Sequence, residues 1–263
     1  MDKTVLTIRN LSATWVSKMI LGNKYNTSVS IGFTDDEYEL LTCIEHDLKG
    51  TGSISYGYDH DNGDETKGLS LVQPKKCECC GVKLHFFAEV CLCGSKNFKY
   101  ISDSRWGIDS NAHFNHNIPF YHLWVFYPEK YSHDCKKFFL KQFIIDSNNI
   151  KFKEILNVQI EKGKNINKNF LPFSMDFYAS NPKEQTSITI LIDDLYGVLV
   201  ERNEPQQILY NREILKKMSK VLNKNFKINK DIYHYDEIYE FIDIKNKKTT
   251  HGKSRGNTTR RDK

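Results

Sequence analysis

Two clusters of chemically capable residues lie close together between Tyr56 and Gly94. In the first, Asp59, Asp61, Asp64, Glu65 and Lys67 share one short stretch. Glu65 and Lys67 are two positions apart, so on a β-strand both side chains project from the same face. A carboxylate and an ammonium placed this way suit phosphodiester hydrolysis. Mg²⁺ held by a few carboxylates activates a water and neutralises developing charge, and it keeps open positions for substrate phosphate. The lysine can then touch the attacking water or the scissile phosphate. Asp59, at the end of the preceding strand, can supply the second metal carboxylate from across a turn. Asp61 and Asp64 are alternatives for that role.

The second cluster holds five of the seven cysteines, in two tight groups: Cys77-Glu-Cys79-Cys80-Gly81 and Cys91-Leu-Cys93-Gly94. Pairs of thiolates on two turns, each followed by a glycine that admits the bend, predict a zinc ribbon. Cys77, Cys80, Cys91 and Cys93 would close a tetrahedron around a structural Zn²⁺. Cys79 is a surplus thiol that could replace Cys80. The N-terminus, Met1-Asp-Lys-Thr-Val-Leu, carries no apolar signal core, and no apolar run is long enough to span a bilayer. These features predict a cytoplasmic protein with no membrane association, in which clustered cysteines bind metal and do not form disulfides. Cys43 and Cys135 stand apart and read as small buried thiols.

The elements that must position these clusters follow from pattern. Thr34-Asp-Asp-Glu37 is a capping box opening a helix, with Leu40, Leu41, Ile44 and Leu48 as its core stripe and Glu37, Glu39 and Glu45 off it. Lys49-Gly50-Thr51-Gly52 stops that helix. Residues 53–59 alternate as a strand, 61–64 (Asp-Asn-Gly-Asp) form a turn, and 65–72 return as a second strand, together a β-hairpin. Residues 120–127 and 138–145 are continuously apolar or aromatic, as central strands covered on both faces are. Residues 186–192 alternate as a further strand, and 211–226 carry a helical stripe. Residues 4–9 predict a short strand, and no element is assigned around Met19 to Leu21.

Hydrophobic content of 39% with 13% aromatics supports a folded core and excludes a disordered chain. The net charge of +5 is unevenly spread. Residues 245–263 carry eight Lys/Arg against one acid, Asp262, so the other residues are slightly acidic in balance. The simplest division is a domain over 1–244, containing the ribbon as an insert over 75–98, and a basic flexible tail over 245–263 suited to a polyanion.

An aspartate followed by Glu-x-Lys on adjacent strands, here Asp59 and then Glu65-Thr-Lys67, resembles the PD-(D/E)XK nuclease superfamily and specifically its type II restriction endonucleases. The order of helix, hairpin and buried strand is similar as well. This resemblance implies an α/β fold with a restriction-endonuclease-like mixed central sheet flanked by helices, here with a small zinc-ribbon insert. It also implies Mg²⁺-dependent, sequence-specific cleavage of double-stranded DNA that leaves 5′ phosphates, often by a homodimer. By position, Asp59 and Glu65 would hold the metal and Lys67 would be the family lysine. The sequence departs from the pattern in having no proline before Asp59 and only a short gap between Asp59 and Glu65. Gln73, Lys75 and Lys76, and further on Arg105, Asn111 and the basic 162–169 loop, are candidates for contacts to DNA.

Two other readings use different residues. Gly107-Ile108-Asp109 with a ribbon upstream faintly resembles an RNase H-like transposase or integrase, in which Asp109 and Asp193 or Asp194 would bind two metal ions. Asp176 is a further carboxylate for such a site. A non-catalytic zinc-ribbon DNA-binding protein would use the ribbon and tail and leave the hairpin inert. His113 and His116 read as polar loop histidines.

Overall fold

A computed structural model describes residues 2–25, 29, 31–52, 58–72, 74–100, 106–109, 113, 116–154, 156–157, 170–173 and 182–205. Lys3–Tyr25 is a single helix, α1, which corrects the short strand expected over 4–9. The β-branched residues there favour a strand locally. However, Thr4, Ile8, Ser12, Trp15, Val16 and Met19 recur at helical spacing and are all buried. The long stripe overrides the local preference. The second helix, α2 (Asp35–His46), opens on the expected capping box: Glu37 N–H donates to Thr34 Oγ1, and Glu37 reaches back to the Thr34 N–H. Its buried residues are Tyr38, Leu41 and Thr42, while Leu40 is exposed, so the core stripe is rotated from the expected one. The helix ends at Asp47, whose left-handed conformation lets its N–H bond Cys43 O, ahead of the expected glycine stop.

The described strands are β1 (Glu65–Ser70), β2 (Lys75–Cys77), β3 (Lys83–Leu84), β4 (Phe98–Tyr100), β5 (Trp106–Asp109), β6 (Phe120–Pro128), β7 (Lys137–Asp146), β8 (Phe170–Phe173), β9 (Lys183–Ile192) and β10 (Val198–Asn203). Five of them form a mixed sheet in the order β1-β6-β7-β9-β10. β1 runs parallel to β6, and the other neighbours are antiparallel. A parallel pair needs a long crossover, and here the chain between β1 and β6 contains the whole cysteine module. β6 and β7 are the central, aromatic-rich strands that their composition predicts.

One face of the sheet is covered by the helices. Trp15 of α1 meets Phe126 and Phe138 edge-on, with ring centroids 6.0 and 5.6 Å apart. α2 crosses β1 at Gly68, where an added Cβ would stand 2.2 Å from the Tyr38 ring. Only a residue without a side chain allows this approach. On the opposite face, Phe152 in the helical residues 150–154 packs on Tyr121.

β3-β2-β4 form a separate three-stranded antiparallel sheet. Cys77, Leu84, Ala88 and Cys91 make a small core inside it. Phe86 and Phe87, between the two cysteine groups, instead belong to the main core and pack against Phe138. Among the described residues no helix is long and apolar enough to cross a membrane. Residues 53–57 of the strand expected over 53–59, Gln73, Arg105, Asn111, the 162–169 loop, Asp176, the 211–226 helix and the 245–263 tail lie outside the described residues, and residues 58 and 59 are not in a strand.

Candidate active site and metal centre

The turn that organises the first cluster forms as its residues predict. Asp59 and His60 both donate their N–H to Asp64 O, Gly63 N–H donates to His60 O, and Gly63 takes a φ of +87°. β1 then leaves this turn with Glu65 and Lys67 on one face. Lys67 Nζ donates to Glu65 Oε1. Both are largely withdrawn from solvent, with side chains 12% exposed for Glu65 and 26% for Lys67.

The three acidic candidates for the first carboxylate go to different places. Asp64 turns to the helix-covered face of the sheet, where Oδ2 accepts from Asn62 Nδ2 at 2.7 Å and lies 2.9 Å from His122 Nε2. Asp61 is exposed, and its Oδ1 accepts from Lys49 N–H at 3.4 Å. Asp59 stays beside β1: its Oδ2 accepts the Thr66 N–H at 2.8 Å. Of the three, Asp59 is the one tied to the strand that carries Glu65 and Lys67.

A fourth group belongs here that the sequence pattern places only off the core stripe. Glu39, off the core stripe of α2, is pushed up to about 7 by partial burial and next by the negative charge of Asp59. Glu65 is likewise pushed up to about 7, first by burial, against the pull of Lys67 and with the help of Asp59 and Glu39. Burial works against the Lys67 ammonium, but Glu65 and Asp59 outweigh it and hold its pKa above the ordinary lysine value. Glu39, Asp59 and Glu65 thus act electrostatically on one another and on the Lys67 ammonium. Four acids at positions 35, 36, 37 and 39 of one helix start were the only signal in the sequence.

Glu65 Oε2 is buried and accepts no hydrogen bond from the described residues, which costs free energy unless a cation or donor meets it. This oxygen, with the Asp59 charge acting on the same carboxylate, fits a divalent cation of the hard, oxygen-preferring kind. The carboxylates do not form a complete cage. Among the described residues, only the cysteines form a group of three or more ligands close enough for one ion.

Behind β1 lies a buried polar layer. Thr66 Oγ1 donates to Thr42 Oγ1 at 2.9 Å, Trp124 Nε1 donates to the same oxygen at 2.9 Å, and His60 Nε2 lies 2.7 Å from Thr66 Oγ1. His46 reaches Gln142 at 2.9 Å. On the Glu65 face, Tyr121 is held protonated chiefly by burial, with Glu65 adding to the effect. His113, read as a loop histidine, stacks on Tyr121 and meets its hydroxyl at 2.6 Å.

The second cluster closes as its spacing predicts. The sulfurs of Cys77, Cys80, Cys91 and Cys93 all lie within 4.8 Å of one another, with Cys77–Cys93 at 3.6 Å and Cys80–Cys91 at 3.4 Å. Zinc–thiolate bonds of about 2.3 Å in a tetrahedron require sulfurs about 3.8 Å apart. The four cysteines could therefore hold a metal such as zinc. Gly81 and Gly94 take φ of +76° and +81°, and Gly81 N–H donates to Cys77 O and Gly94 N–H to Cys91 O. Cys79 is exposed and outside the group. Cys135 is buried, while Cys43 is half-buried against His60 Nδ1 at 3.5 Å.

The residues of the transposase-like reading are differently engaged. Asp109 lies on β5, in a two-stranded sheet with β8. Asp193 Oδ1 accepts the N–H groups of Leu195 and Gly197 in the β9–β10 turn, and Asp194 pairs with Lys136. Comparison with protein-family models, with curated proteins and with solved structures finds no match.

Proposed function

We propose that this protein is a Mg²⁺-dependent endonuclease of the restriction-enzyme type, cutting double-stranded DNA and braced by a structural Zn²⁺. The observation that carries the reading is the Glu65–Lys67 contact on one face of β1, with a buried carboxylate oxygen beside it that no described residue partners. Asp59 and Glu65 would hold Mg²⁺, which when bound supplies Lewis acidity and lowers the pKa of water. Lys67 orients the water oxygen that bonds to phosphorus and counters the negative charge growing on the phosphate. The bond from phosphorus to the 3′ oxygen breaks, giving a 5′ phosphate and a 3′ hydroxyl. Glu39 adds negative potential and helps to draw a cation to this edge of the sheet. Cys77, Cys80, Cys91 and Cys93 would hold Zn²⁺, which ties the two knuckles together.

The transposase-like alternative has less support, since Asp193 caps its own turn and Asp194 pairs with Lys136. A purely binding protein remains the rival, and cleavage separates the two. Purified protein with phage DNA and Mg²⁺ should give discrete fragments with 5′ phosphates, and none in EDTA. Lys67→Ala should abolish cutting, by at least about a hundredfold, while keeping DNA binding. Intact DNA at high wild-type concentration would overturn the reading.

A further inference from the structure

The register of the small sheet sets three lysines side by side. Lys76 on β2 stands opposite Lys83 on β3 and, on its other flank, opposite Lys99 on β4. All three are exposed, while their strand neighbours Lys75, Cys77 and Leu84 are buried. None of the three has an ion pair among the described residues. Of the two acids of this module, Glu89 pairs with Lys96 at 3.5 Å, and the exposed Glu78, two positions after Lys76 in the first knuckle turn, has no ion pair among the described residues. Like charges directly opposite one another work against strand pairing. A row of three therefore weakens a small sheet that has little core to spare, and a solubilising surface would mix the signs.

Geometry suggests what compensates. Strands lie about 4.8 Å apart, so the row is about 10 Å long. One strand of duplex DNA presents about three phosphates over that rise. The row is joined to the proposed cleavage strand by a short stretch, since β1 exits through Leu71, Val72 and Pro74 into β2. We propose that the exposed face of β3-β2-β4 is a docking surface for the phosphate backbone of double-stranded DNA, with Lys83, Lys76 and Lys99 each meeting a phosphate. This rests on the reading above that DNA is the partner, but not on cleavage. The competing role is internal. The Lys76 side chain lies along the first knuckle, its Cε 3.5 Å from where a Cβ on Gly81 would stand, so the row could instead offset the charge of the thiolates.

The test uses the full zinc-loaded chain and a short fluorescent duplex, with Ca²⁺ replacing Mg²⁺, and follows anisotropy as a function of salt. Combined Lys76→Gln, Lys83→Gln and Lys99→Gln should lower the slope of log affinity against log salt by about 2.7. Zinc content should stay at wild-type level, and thermal stability should hold or rise as the like-charge repulsion is removed. Lys151→Gln with Lys153→Gln is the control and should leave the slope unchanged. An unchanged slope in the triple variant, or an equal fall in the control, overturns the proposal. So does loss of zinc from the triple variant, which would assign the row to thiolate charge balance. Binding without cleavage by the wild type leaves this surface standing and removes only the nuclease reading. No binding at all removes both.

Discussion

The backbone N–H of Thr66 donates to Asp59 Oδ2 at 2.8 Å. The loop carboxylate is thereby fastened to the strand that carries Glu65 and Lys67, and its position does not depend on a metal. Asp59→Asn retains an oxygen that can accept this bond but removes the charge, whereas Asp59→Ala removes both. Mg²⁺-dependent cleavage should vanish in both variants. Stability should separate them: the alanine variant should lose about 1–2 kcal/mol in urea unfolding and the asparagine variant much less. Equal stability in the two would mean that the bond contributes nothing to the fold.

Glu39 gives a pH signature. Its folded pKa of about 7, raised chiefly by burial, exceeds the ordinary value of 4.5. The folded chain thus retains a proton that the unfolded chain releases. This contribution to stability is full below about 4.5 and is lost as pH rises through about 7. His46 and His60, both lowered chiefly by burial, act in the opposite direction, so the readout must be a difference. In EDTA, Glu39→Gln should gain on the wild type in urea midpoint as pH goes from about 5 to about 8. Mg²⁺ should narrow that gap at neutral pH by stabilising the wild-type carboxylates. A constant gap across the range would contradict the assignment.

The cysteines divide cleanly. Cys79→Ser should bind zinc as the wild type does, since Cys79 is exposed and outside the sulfur group. Cys80→Ser should lose the ion or hold it weakly. Metal analysis after gel filtration, with a colorimetric chelator to time release, distinguishes them. Retention of zinc in Cys80→Ser with loss in Cys79→Ser would reverse the ligand choice.

Gly68 tests the seating of the strand. A methyl group there would press into the Tyr38 ring, so Gly68→Ala should cost about 1–3 kcal/mol through overpacking. Cleavage should fall with it, because Lys67 is the adjacent residue. Adding Tyr38→Leu, which vacates the space of the ring, should restore part of the stability. Wild-type unfolding in the single variant would show that α2 does not press on β1.

The legible parts of this chain were those set by neighbours in sequence. The Thr34–Glu37 box, the turn around Gly63 and the two knuckles each close within a few residues, and local chemistry alone specifies them. The runs that form β6 and β7 were readable because central strands tolerate apolar residues on both faces. α1 is not legible from its start, where a few β-branched residues favour a strand and the buried stripe emerges only over several turns. Glu39 is not legible because distance from the core stripe suggests solvent, whereas it is half-buried and feels the charge of Asp59. The partners His122 and Asp64 are 58 residues apart and His46 and Gln142 are 96 apart. No local pattern encodes such pairings, nor the parallel register of β1 on β6.

Phe86 and Phe87 come from between the cysteine knuckles, yet they are buried in the same core as Trp15 and Phe138. A chain starved of zinc would therefore be left with two stray aromatic rings and an open socket above the central strands. Both are features on which aggregation and proteolysis act. Zinc shortage should consequently show first in how much of this protein persists, before it shows in how well each surviving molecule works.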